Sequence, residues 1–374
     1  MARALRAALS LAFVVLPAFA LAACGGSGGP PPGTDATVGG GTDATDLPGT
    51  DAAPLPGTDA TSSGCGTCPG GYTCGSINGA PVCRSAAGIP LLSHVFIIAM
   101  ENTSLATLDG TTNTPFMHGL MDTWASSSNY HGVVHPSLGN YLAVTSGQNG
   151  AVDCDCEPVG STCSVLNCNL ILSSCGCPQS VPNIADQIEA AGLNWRMYGE
   201  DMGAPCNTAN AGDYATKHIP FLYYDLRDDA PRCTDHVVDY SAFAGDLATA
   251  RAYSFITPNM VNDMHDPDPP NAQNYATGDA WLAGVVPSIL ASTAFTDGGL
   301  LVIWWDEDDL SGILAPDDPI PMIFISPLAK SGGYVSTVAA NHYSLLATIE
   351  DGLALPRLGA ATAATPLVDL FPEN

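Results

Sequence analysis

The sequence contains little positive charge and few long hydrophobic stretches. Of its 374 residues, 10 are Lys or Arg and 37 are Asp or Glu, which gives a formal net charge of −27 at pH 7. Docking to nucleic acid depends on basic side chains that neutralise backbone phosphates, so we expect no nucleic acid partner. Beyond the N-terminus, no apolar run reaches the roughly 20 residues that a membrane-spanning helix needs. These two absences exclude a nucleic-acid-docking module and a protein with several membrane spans.

The N-terminus has the features of an export signal. Two arginines precede an apolar stretch that ends at Ala20, and small residues then lead to Cys24. The pattern is typical of a secretory signal peptide, and its end resembles the lipobox of bacterial lipoproteins, in which the cysteine is acylated. We therefore predict a lipoprotein signal peptide over residues 1–23 and lipidation of Cys24; an ordinary cleaved signal with an incidental cysteine is the alternative. Gly25 follows the cysteine, which by resemblance to Gram-negative sorting rules implies an outer-membrane lipoprotein facing the periplasm or the cell exterior.

Residues 24–64 form a predicted tether. The segment is rich in Gly, Thr, Asp and Pro, and the sequence Gly-Thr-Asp-Ala occurs in it four times. Such a composition buries too little apolar surface to offset chain entropy. We therefore predict a disordered linker that holds the rest of the protein away from a membrane surface.

The cysteine content favours an oxidising compartment. If Cys24 carries the lipid, 12 of the 13 cysteines remain, an even number that suits disulfides. We predict that residues 65–90 form a small disulfide-rich segment, with metal binding by Cys65 and Cys68 as the rival interpretation, and that Cys206 pairs with Cys233. A second cluster, predicted to be a disulfide-laced loop, comprises Cys154, Cys156, Cys163, Cys168, Cys175 and Cys177.

Residues 91–374 alternate between strand and helix patterns, as in one large domain. Short apolar runs that predict buried strands are His94–Met100, Leu193–Tyr198, Ala252–Ile256, Leu300–Trp305 and Ile320–Ile325. Helices are predicted from Pro115, from Leu138 to Gly147, over Pro182–Ala191 and from Asn341 to Ile349. This alternation predicts an α/β fold with a mostly parallel central sheet and helices on both faces.

Acidic and amide residues follow three of the predicted strands. Glu101 and Asn102 follow the first, residues 262–266 follow the third, and Asp306 and Glu307 follow the fourth. Ligands of open parallel sheets bind beyond the carboxyl ends of the strands, so these residues are expected to converge there. Carboxylate and amide oxygens are suitable ligands for a divalent cation. The common use of Asp and Asn in turns is the alternative for each cluster taken alone.

Ser137 lies where a predicted helix begins, directly after Pro136. A serine in this position is usually an N-cap. The free N–H groups and the positive end of a helix also favour an alkoxide or a phosphoryl group there. Its position in the sequence leaves both interpretations open.

Six ordered motifs resemble the phosphoesterase family of bacterial and fungal acid phosphatases and phospholipases C, in the alkaline phosphatase superfamily. They lie at residues 94–104, 135–142, 253–266, 278–282, 305–308 and 341–346. The resemblance extends over essentially all of residues 93–371 and implies an alkaline-phosphatase-like fold that hydrolyses phosphate esters. In one departure, Gly139 replaces the proline usual in the family, which implies a looser turn after the nucleophile.

The resemblance assigns roles to residues of these motifs. It implies that one divalent metal ion is held by Glu101, Asn102, Ser137, Asp306 and Glu307. Ser137 is also the implied nucleophile, and His265 would lie beside the phosphate as ligand, oxyanion stabiliser or general acid. The implied substrate-binding residues are His135, Asn140 and His342, although Asn140 is more typical of a structural hydrogen-bonding residue and His342 fits a structural role equally well. A shell rich in oxygen and poor in histidine favours Ca²⁺, Mg²⁺ or Mn²⁺ over Zn²⁺.

The expected function is that of an exported, lipid-anchored phosphatase for small phosphate esters, in which Ser137 attacks phosphorus and a phosphoserine is then hydrolysed. A phospholipase C acting on lipid headgroups is the rival enzyme, but the sequence lacks an obvious hydrophobic landing helix. A non-catalytic surface binding lipoprotein is the rival from another class, and the joint presence of all five implied ligands argues against it. The sequence does not indicate an oligomeric state.

Overall fold

A computed structural model of the chain describes residues 61–62, 64–150, 152, 155–159, 179–249, 251–266, 275–309 and 318–373. The predicted signal peptide, Cys24 and nearly all of the predicted linker lie outside these residues. Five of the six cysteines in the second predicted cluster also lie outside them; the sixth, Cys156, is buried. Among the described residues, no helix combines the length and apolarity needed to cross a membrane.

The described residues contain strands, α-helices and short 3₁₀ segments. The strands are β1 (Thr61–Ser62), β2 (Gly66–Thr67), β3 (Thr73–Ile77), β4 (Ala80–Arg84), β5 (Val95–Met100), β6 (Ala125–Ser127), β7 (Tyr130–His131), β8 (Trp195–Gly199), β9 (Val237–Asp239), β10 (Tyr253–Thr257), β11 (Leu300–Trp305), β12 (Met322–Ile325), β13 (Tyr334–Ser336) and β14 (Ala340–Asn341). The helices are α1 (Leu105–Gly110), α2 (Pro115–Thr123), α3 (Leu138–Ser146), α4 (Ile184–Ala190), α5 (Ala230–His236), α6 (Phe243–Asp246), α7 (Tyr275–Leu290), α8 (Thr293–Thr296) and α9 (His342–Gly352). The 3₁₀ segments are Thr216–His218, Pro220–Tyr223, Asp225–Asp228, Tyr240–Ala242, Leu247–Thr249, Gly359–Thr362 and Val368–Leu370.

The central sheet has the strand order β13–β6–β12–β11–β5–β10–β8–β9 in the described part of the chain. The neighbouring strands β11, β5, β10, β8 and β9 all run parallel. Strand β12 runs antiparallel to β11 and to β6. The predicted α/β class with a mostly parallel sheet is therefore confirmed, with one reversed strand that the apolar pattern alone does not reveal.

The middle of the sheet is buried on both faces. Every residue of β5 and of β11 is fully buried, and every one is apolar. Strands covered on both faces have this continuous apolar pattern, because neither face can carry polar side chains into the core. The observed β11 coincides with its predicted range. The two-residue strand β7 pairs with β14 outside the central sheet.

The predicted helix boundaries are largely confirmed. Pro115 is the first residue of α2, and Asn341 caps α9 through a capping box. Helix α3 ends at Gly147, whose φ of 71° lies in the left-handed region that glycine adopts without steric cost. These boundaries are predictable because proline, asparagine and glycine act locally.

The cysteine-rich segment is a hairpin held by disulfides. Cys65 is bonded to Cys74 and Cys68 to Cys83, across and beside the antiparallel pair β3–β4. These bonds confirm the predicted disulfide segment and contradict the rival metal site, because bonded sulfurs are not thiolate ligands. The predicted pairing of Cys206 with Cys233 is also confirmed.

The hairpin packs at the end of the sheet where β5 begins. The Tyr72 hydroxyl donates to the carbonyl of Asp351, and the buried Arg84 donates to the carbonyl of Pro372 (2.8 Å). From the hairpin the chain passes through Leu92, whose N–H donates to the Gly352 carbonyl (2.7 Å), and then enters β5. The hairpin and the carboxyl ends of the parallel strands therefore lie at opposite ends of the sheet.

Candidate active site

Three strand-end segments meet at the carboxyl edge of the sheet. Strand β5 leads into Glu101 and Asn102, β11 leads into Asp306, and β10 leads into the loop that contains Asp263. The Glu101 N–H donates to the Asp263 carbonyl (2.8 Å), and the Asn102 N–H donates to the Asp306 carboxylate (3.3 Å). The convergence expected from the sequence is observed, and backbone hydrogen bonds hold it in place.

Ser137 joins this cluster from the start of α3. It occupies the N-cap position, but its side chain makes no capping hydrogen bond. Its Oγ lies 3.0 Å from Glu101 Oε2 and 3.2 Å from Glu307 Oε1, and only 1% of the residue is exposed. The hydroxyl therefore faces the carboxylates instead of the helix, and the capping role that a serine usually takes here is not observed.

Close packing fixes the position of Ser137. A Cβ atom added to Gly139 would lie 2.4 Å from Cγ1 of Val134, closer than real Cβ contacts, so only glycine fits without movement. The looser turn expected at Gly139 stays a prediction. Asn140 is fully buried, and its amide donates to the Val134 carbonyl (2.6 Å), which holds the loop that precedes the serine.

The site buries more negative charge than its surroundings can neutralise. The buried carboxylates are Glu101, Asp263, Asp306, Glu307 and Asp308. Burial, followed by the charges of Asp306 and Asp263, raises the pKa of Glu101 well above its usual value. Burial and then the charge of Asp306 raise the pKa of Glu307 to about 8. The pKa values of Glu101, Asp263, Asp306 and Glu307 are all raised, so these four groups do not all ionise together unless positive charge is added.

His218 lies between two of these carboxylates, and the sequence analysis did not identify it. Its Nε2 is 3.1 Å from Glu101 Oε1 and its Nδ1 is 3.1 Å from Asp263 Oδ2. The ring stacks on Tyr141, whose hydroxyl donates to Glu101 (2.6 Å). Burial, and then the charge of Lys217, lowers the pKa of His218 well below its usual value. The His218 side chain thus orients the Glu101 carboxylate.

His265 lies at the more exposed side of the site, with 21% of its side chain accessible. Its Nδ1 is 2.8 Å from Asp266 Oδ1 and its Nε2 is 2.9 Å from Lys217 Nζ. Because an ammonium can only donate, Nε2 acts as the acceptor and the ring proton resides on Nδ1. Burial lowers the pKa of Lys217, but the charges of Asp155 and Glu101 outweigh burial and raise it overall.

The other two histidines of the motifs occupy different environments. His135 Nδ1 lies 2.7 Å from Glu307 Oε2 and its Nε2 lies 3.1 Å from Asp308 Oδ1, with 14% of the side chain exposed. His342 is fully buried, and its Nε2 lies 2.7 Å from the Asp306 carbonyl oxygen. Burial lowers the pKa of His342 to about 3. His342 therefore supports the backbone of Asp306 and exposes no atom to a substrate, whereas His135 remains accessible.

The donor set fits a divalent cation. Asn102 Oδ1 and Asp306 Oδ2 are buried oxygens that have no hydrogen-bond partner within the described ranges. Buried acceptors of this kind destabilise a fold unless a donor or a cation meets them. Asn102 also adopts a φ of 44°, a left-handed conformation that is strained for residues other than glycine and that recurs at functional sites.

The cation site contains more nitrogen than expected from the sequence. Glu101, His218 and His265 place one ligand atom each within 4.8 Å of one another. Imidazole nitrogens beside carboxylate oxygens suit Zn²⁺ as well as the harder cations. The preference for Ca²⁺, Mg²⁺ or Mn²⁺ over Zn²⁺ that the sequence implies stays a prediction.

Comparison with known proteins identifies the family of the chain. A model of the phosphoesterase family matches residues 111–356. The chain is 32% identical over 286 residues to a phosphatidylinositol-3-phosphatase of Mycobacterium tuberculosis, covering 76% of this chain and 84% of that protein. It is 27% identical over 274 residues to a probable acid phosphatase of Kluyveromyces lactis, covering 71% of this chain and 59% of that protein.

A solved structure overlaps with the fold more loosely. A protein of the alkaline phosphatase superfamily from Vibrio parahaemolyticus superimposes with a TM-score of 0.48 and 14% identity, over 75% of this chain and 72% of that one. The family assignment depends on the sequence matches, which extend over most of the domain that carries the strand-end cluster. The chain belongs to the phosphoesterase family and is a hydrolase that acts on phosphoric ester bonds.

Proposed function

We propose that the protein is an exported, lipid-anchored, metal-dependent phosphatase that hydrolyses phosphate esters through a phosphoserine at Ser137. One observation carries the proposal: the Ser137 hydroxyl lies within hydrogen-bonding distance of both Glu101 and Glu307, at an edge that buries five carboxylates. A serine that only capped a helix would not need this environment.

The side chains present account for the steps of the reaction. A divalent cation bound by Glu101, Asn102, Asp306 and Glu307 would supply a lowered pKa for the serine hydroxyl and neutralisation of the phosphoryl charge. The bond between Ser137 Oγ and phosphorus forms as the bond to the leaving alcohol breaks. The serine proton passes to one of the two carboxylates that the hydroxyl contacts, Glu101 or Glu307. The Lys217 ammonium, which donates to His265 Nε2 and is positioned by it, supplies the proton for the leaving oxygen. Water then cleaves the phosphoserine, which releases phosphate and restores the hydroxyl.

The relatives favour a phosphatase over a phospholipase C. Their names are phosphatidylinositol-3-phosphatase and acid phosphatase. Export is supported by the three disulfides in the described part of the chain, because such bonds persist in oxidising compartments. The lipid anchor at Cys24 and the outer-membrane location rest on the sequence pattern, and Cys24→Ala should move the protein from the membrane fraction to the supernatant.

Replacement of the nucleophile tests the proposal. We expect Ser137→Ala to reduce kcat for p-nitrophenyl phosphate by about 10³-fold or more, since no other described side chain replaces its oxygen. Acid quenching during turnover should trap a phosphoserine in the wild type and none in the variant. Ser146→Ala is the matched control, because this serine lies at the other end of α3 and its hydroxyl donates to the backbone carbonyls of Leu142 and Gln148.

Two results would contradict the proposal. Equal turnover by Ser137→Ala and the wild type would remove the serine from the mechanism. Hydrolysis of phosphatidylcholine vesicles in preference to p-nitrophenyl phosphate would instead favour the phospholipase C, with vesicles containing phosphatidylinositol 3-phosphate as the comparison for a lipid phosphatase.

A further inference from the structure

A pocket of about 260 Å³ lies next to the start of α3, and Lys217 is the one residue in its described walls to which a role was assigned above. Its walls include Asp155 and Lys217, and both of these residues reach the catalytic cluster. Asp155 Oδ1 accepts the N–H of Leu138, the residue that follows Ser137 (3.1 Å). Lys217 contacts His265 (2.9 Å). The pocket therefore adjoins the start of α3 through Asp155 and the candidate site through Lys217 and His265.

The lining of the pocket carries an excess of negative charge. Its charged side chains are Asp155, Glu157, Asp266 and Lys217. Lys217 Nζ lies 3.1 Å from Asp155 Oδ2, so this ammonium is already paired with one of the three carboxylates. Because a single ammonium faces three carboxylates, the described walls retain a net negative charge.

Glu157 is the carboxylate best placed to meet a ligand from the open side. It is exposed, and the contacts that its carboxylate makes with Asn210 and Thr216 are with neutral donors. The Asn210 amide donates to Oε1 (2.9 Å), and the Thr216 hydroxyl lies 3.5 Å from Oε2. These contacts orient the carboxylate without cancelling its charge, so an incoming ammonium would gain from it and an incoming anion would be repelled.

The size of the pocket limits what it can hold. A water molecule takes up roughly 30 Å³ of liquid, so the pocket has room for at least about nine non-hydrogen atoms. A short alcohol fits, whereas the two acyl chains of a diacylglycerol could not be enclosed. The pocket thus suits the small leaving group of a phosphate monoester.

We propose that this pocket binds the alcohol portion of the substrate and that its carboxylates select small alcohols carrying an ammonium group over those carrying a second anion. The inference rests on the proposed function, because the pocket can receive a leaving group only if Ser137 is the nucleophile. It adds a substrate class that the reaction chemistry alone does not specify.

Three phosphate esters of similar size test the selection: 2-aminoethyl phosphate, ethyl phosphate and carboxymethyl phosphate, with p-nitrophenyl phosphate as the reference substrate. We expect kcat/KM to fall in that order, with about a tenfold difference between the cationic and the anionic ester. Glu157→Gln retains the acceptor for Asn210 but removes the charge, so it should narrow this ratio several-fold, mainly through KM.

Asp297→Asn is the matched control for net charge. Asp297 is exposed and precedes β11, at the end of the sheet away from Ser137, so this variant should leave the ratio unchanged. A flat or inverted order in the wild type, or equal narrowing by both variants, would overturn the inference while hydrolysis of p-nitrophenyl phosphate still upheld the phosphatase. Failure of the wild type to hydrolyse any of the four esters would overturn the proposed function, and this inference with it.

Discussion

The protein buries carboxylates in two regions and treats them differently. At the C-terminal end of α9, Arg357 donates two hydrogen bonds to Asp351 (2.9 and 2.7 Å), and the Leu358 N–H donates to Glu350 (2.8 Å). At the strand ends, the carboxylates contact histidines and, among the described residues, no arginine. In the first region Arg357 neutralises Asp351, and Glu350 keeps a proton because burial raises its pKa to about 8, whereas the second region leaves a deficit of positive charge. The difference supports the proposal that the second arrangement serves binding and catalysis at a cost in stability.

Asp306→Asn should produce the largest effect. The amide keeps the shape of the side chain but removes a charge and a proposed ligand, so we expect kcat/KM for p-nitrophenyl phosphate to fall about 100-fold or more, with loss of bound metal. In chelator, the same change should raise Tm, because it relieves repulsion among buried carboxylates. Kinetics, metal analysis and thermal unfolding measure the three quantities. Unchanged activity with an unchanged metal content would break the proposed distinction between the two regions.

His218→Gln should have the next largest effect. Loss of the imidazole removes the group that orients Glu101, and changes behind a metal ligand typically reduce affinity or activity about 10- to 100-fold. Metal titration followed by tryptophan fluorescence should show weaker binding, a result that a purely structural role would not produce. His236→Gln is the control. The His236 ring is stacked on Trp195 (4.6 Å between ring centroids), which is the first residue of β8 and lies away from the carboxyl ends of the strands, so this change should not affect activity.

Asp351→Asn should show the reverse of Asp306→Asn. The amide weakens the charge-assisted hydrogen bonds that Asp351 accepts from Arg357. We therefore expect the free energy of unfolding to decrease by about 1–3 kcal/mol while kcat and KM stay at wild-type values. Denaturant unfolding and steady-state kinetics check both parts. If Asp351→Asn reduced activity as strongly as Asp306→Asn, the two regions would not be functionally distinct.

Glu350→Gln should have the smallest effect, visible as a change in pH dependence. Burial raises the pKa of Glu350 to about 8, whereas the carboxyl of the unfolded chain titrates near about 4.3. The folded protein therefore retains a proton that the unfolded chain releases, so the stabilising contribution is complete below the unfolded pKa and is lost as pH rises through the folded one.

The comparison of Tm at about pH 5 and about pH 8, without metal, measures this contribution. The wild type should lose more Tm over that interval than Glu350→Gln, whose amide does not titrate but can still accept the Leu358 N–H. Identical slopes for the two proteins would show that Glu350 is not protonated in the fold.

Local sequence signals predicted those parts of the candidate site that a single strand end or a single helix start defines. The apolar runs of β5 and β11 stop directly at Glu101 and Asp306, and a parallel sheet brings such ends together. His218 and Lys217 could not be found in this way. They lie in or beside a short 3₁₀ segment without periodicity, and most of their partners come from distant parts of the chain.

Family motifs also include residues that are structural in the fold. Asp279, in the motif at residues 278–282, accepts the N–H groups of Phe116 (3.0 Å) and Met117 (2.8 Å) at the start of α2. The carboxylate thus satisfies free donors of a helix start and takes no part in the strand-end cluster. A sequence pattern alone does not separate this use of an aspartate from the use made of Asp306.

The position of the disulfide hairpin has a practical consequence. Because β5 has six residues at roughly 3.3 Å each, the point where the chain enters it lies about 20 Å from the edge that carries Glu101. Whatever is joined to the polypeptide just ahead of Cys65, whether a biotin, a bead or a fluorescent fusion, is therefore attached at the rear of the sheet. Protein immobilised through this point should keep its catalytic opening turned towards the bulk liquid, so that it could be reused in a flow reactor without blocking substrate entry.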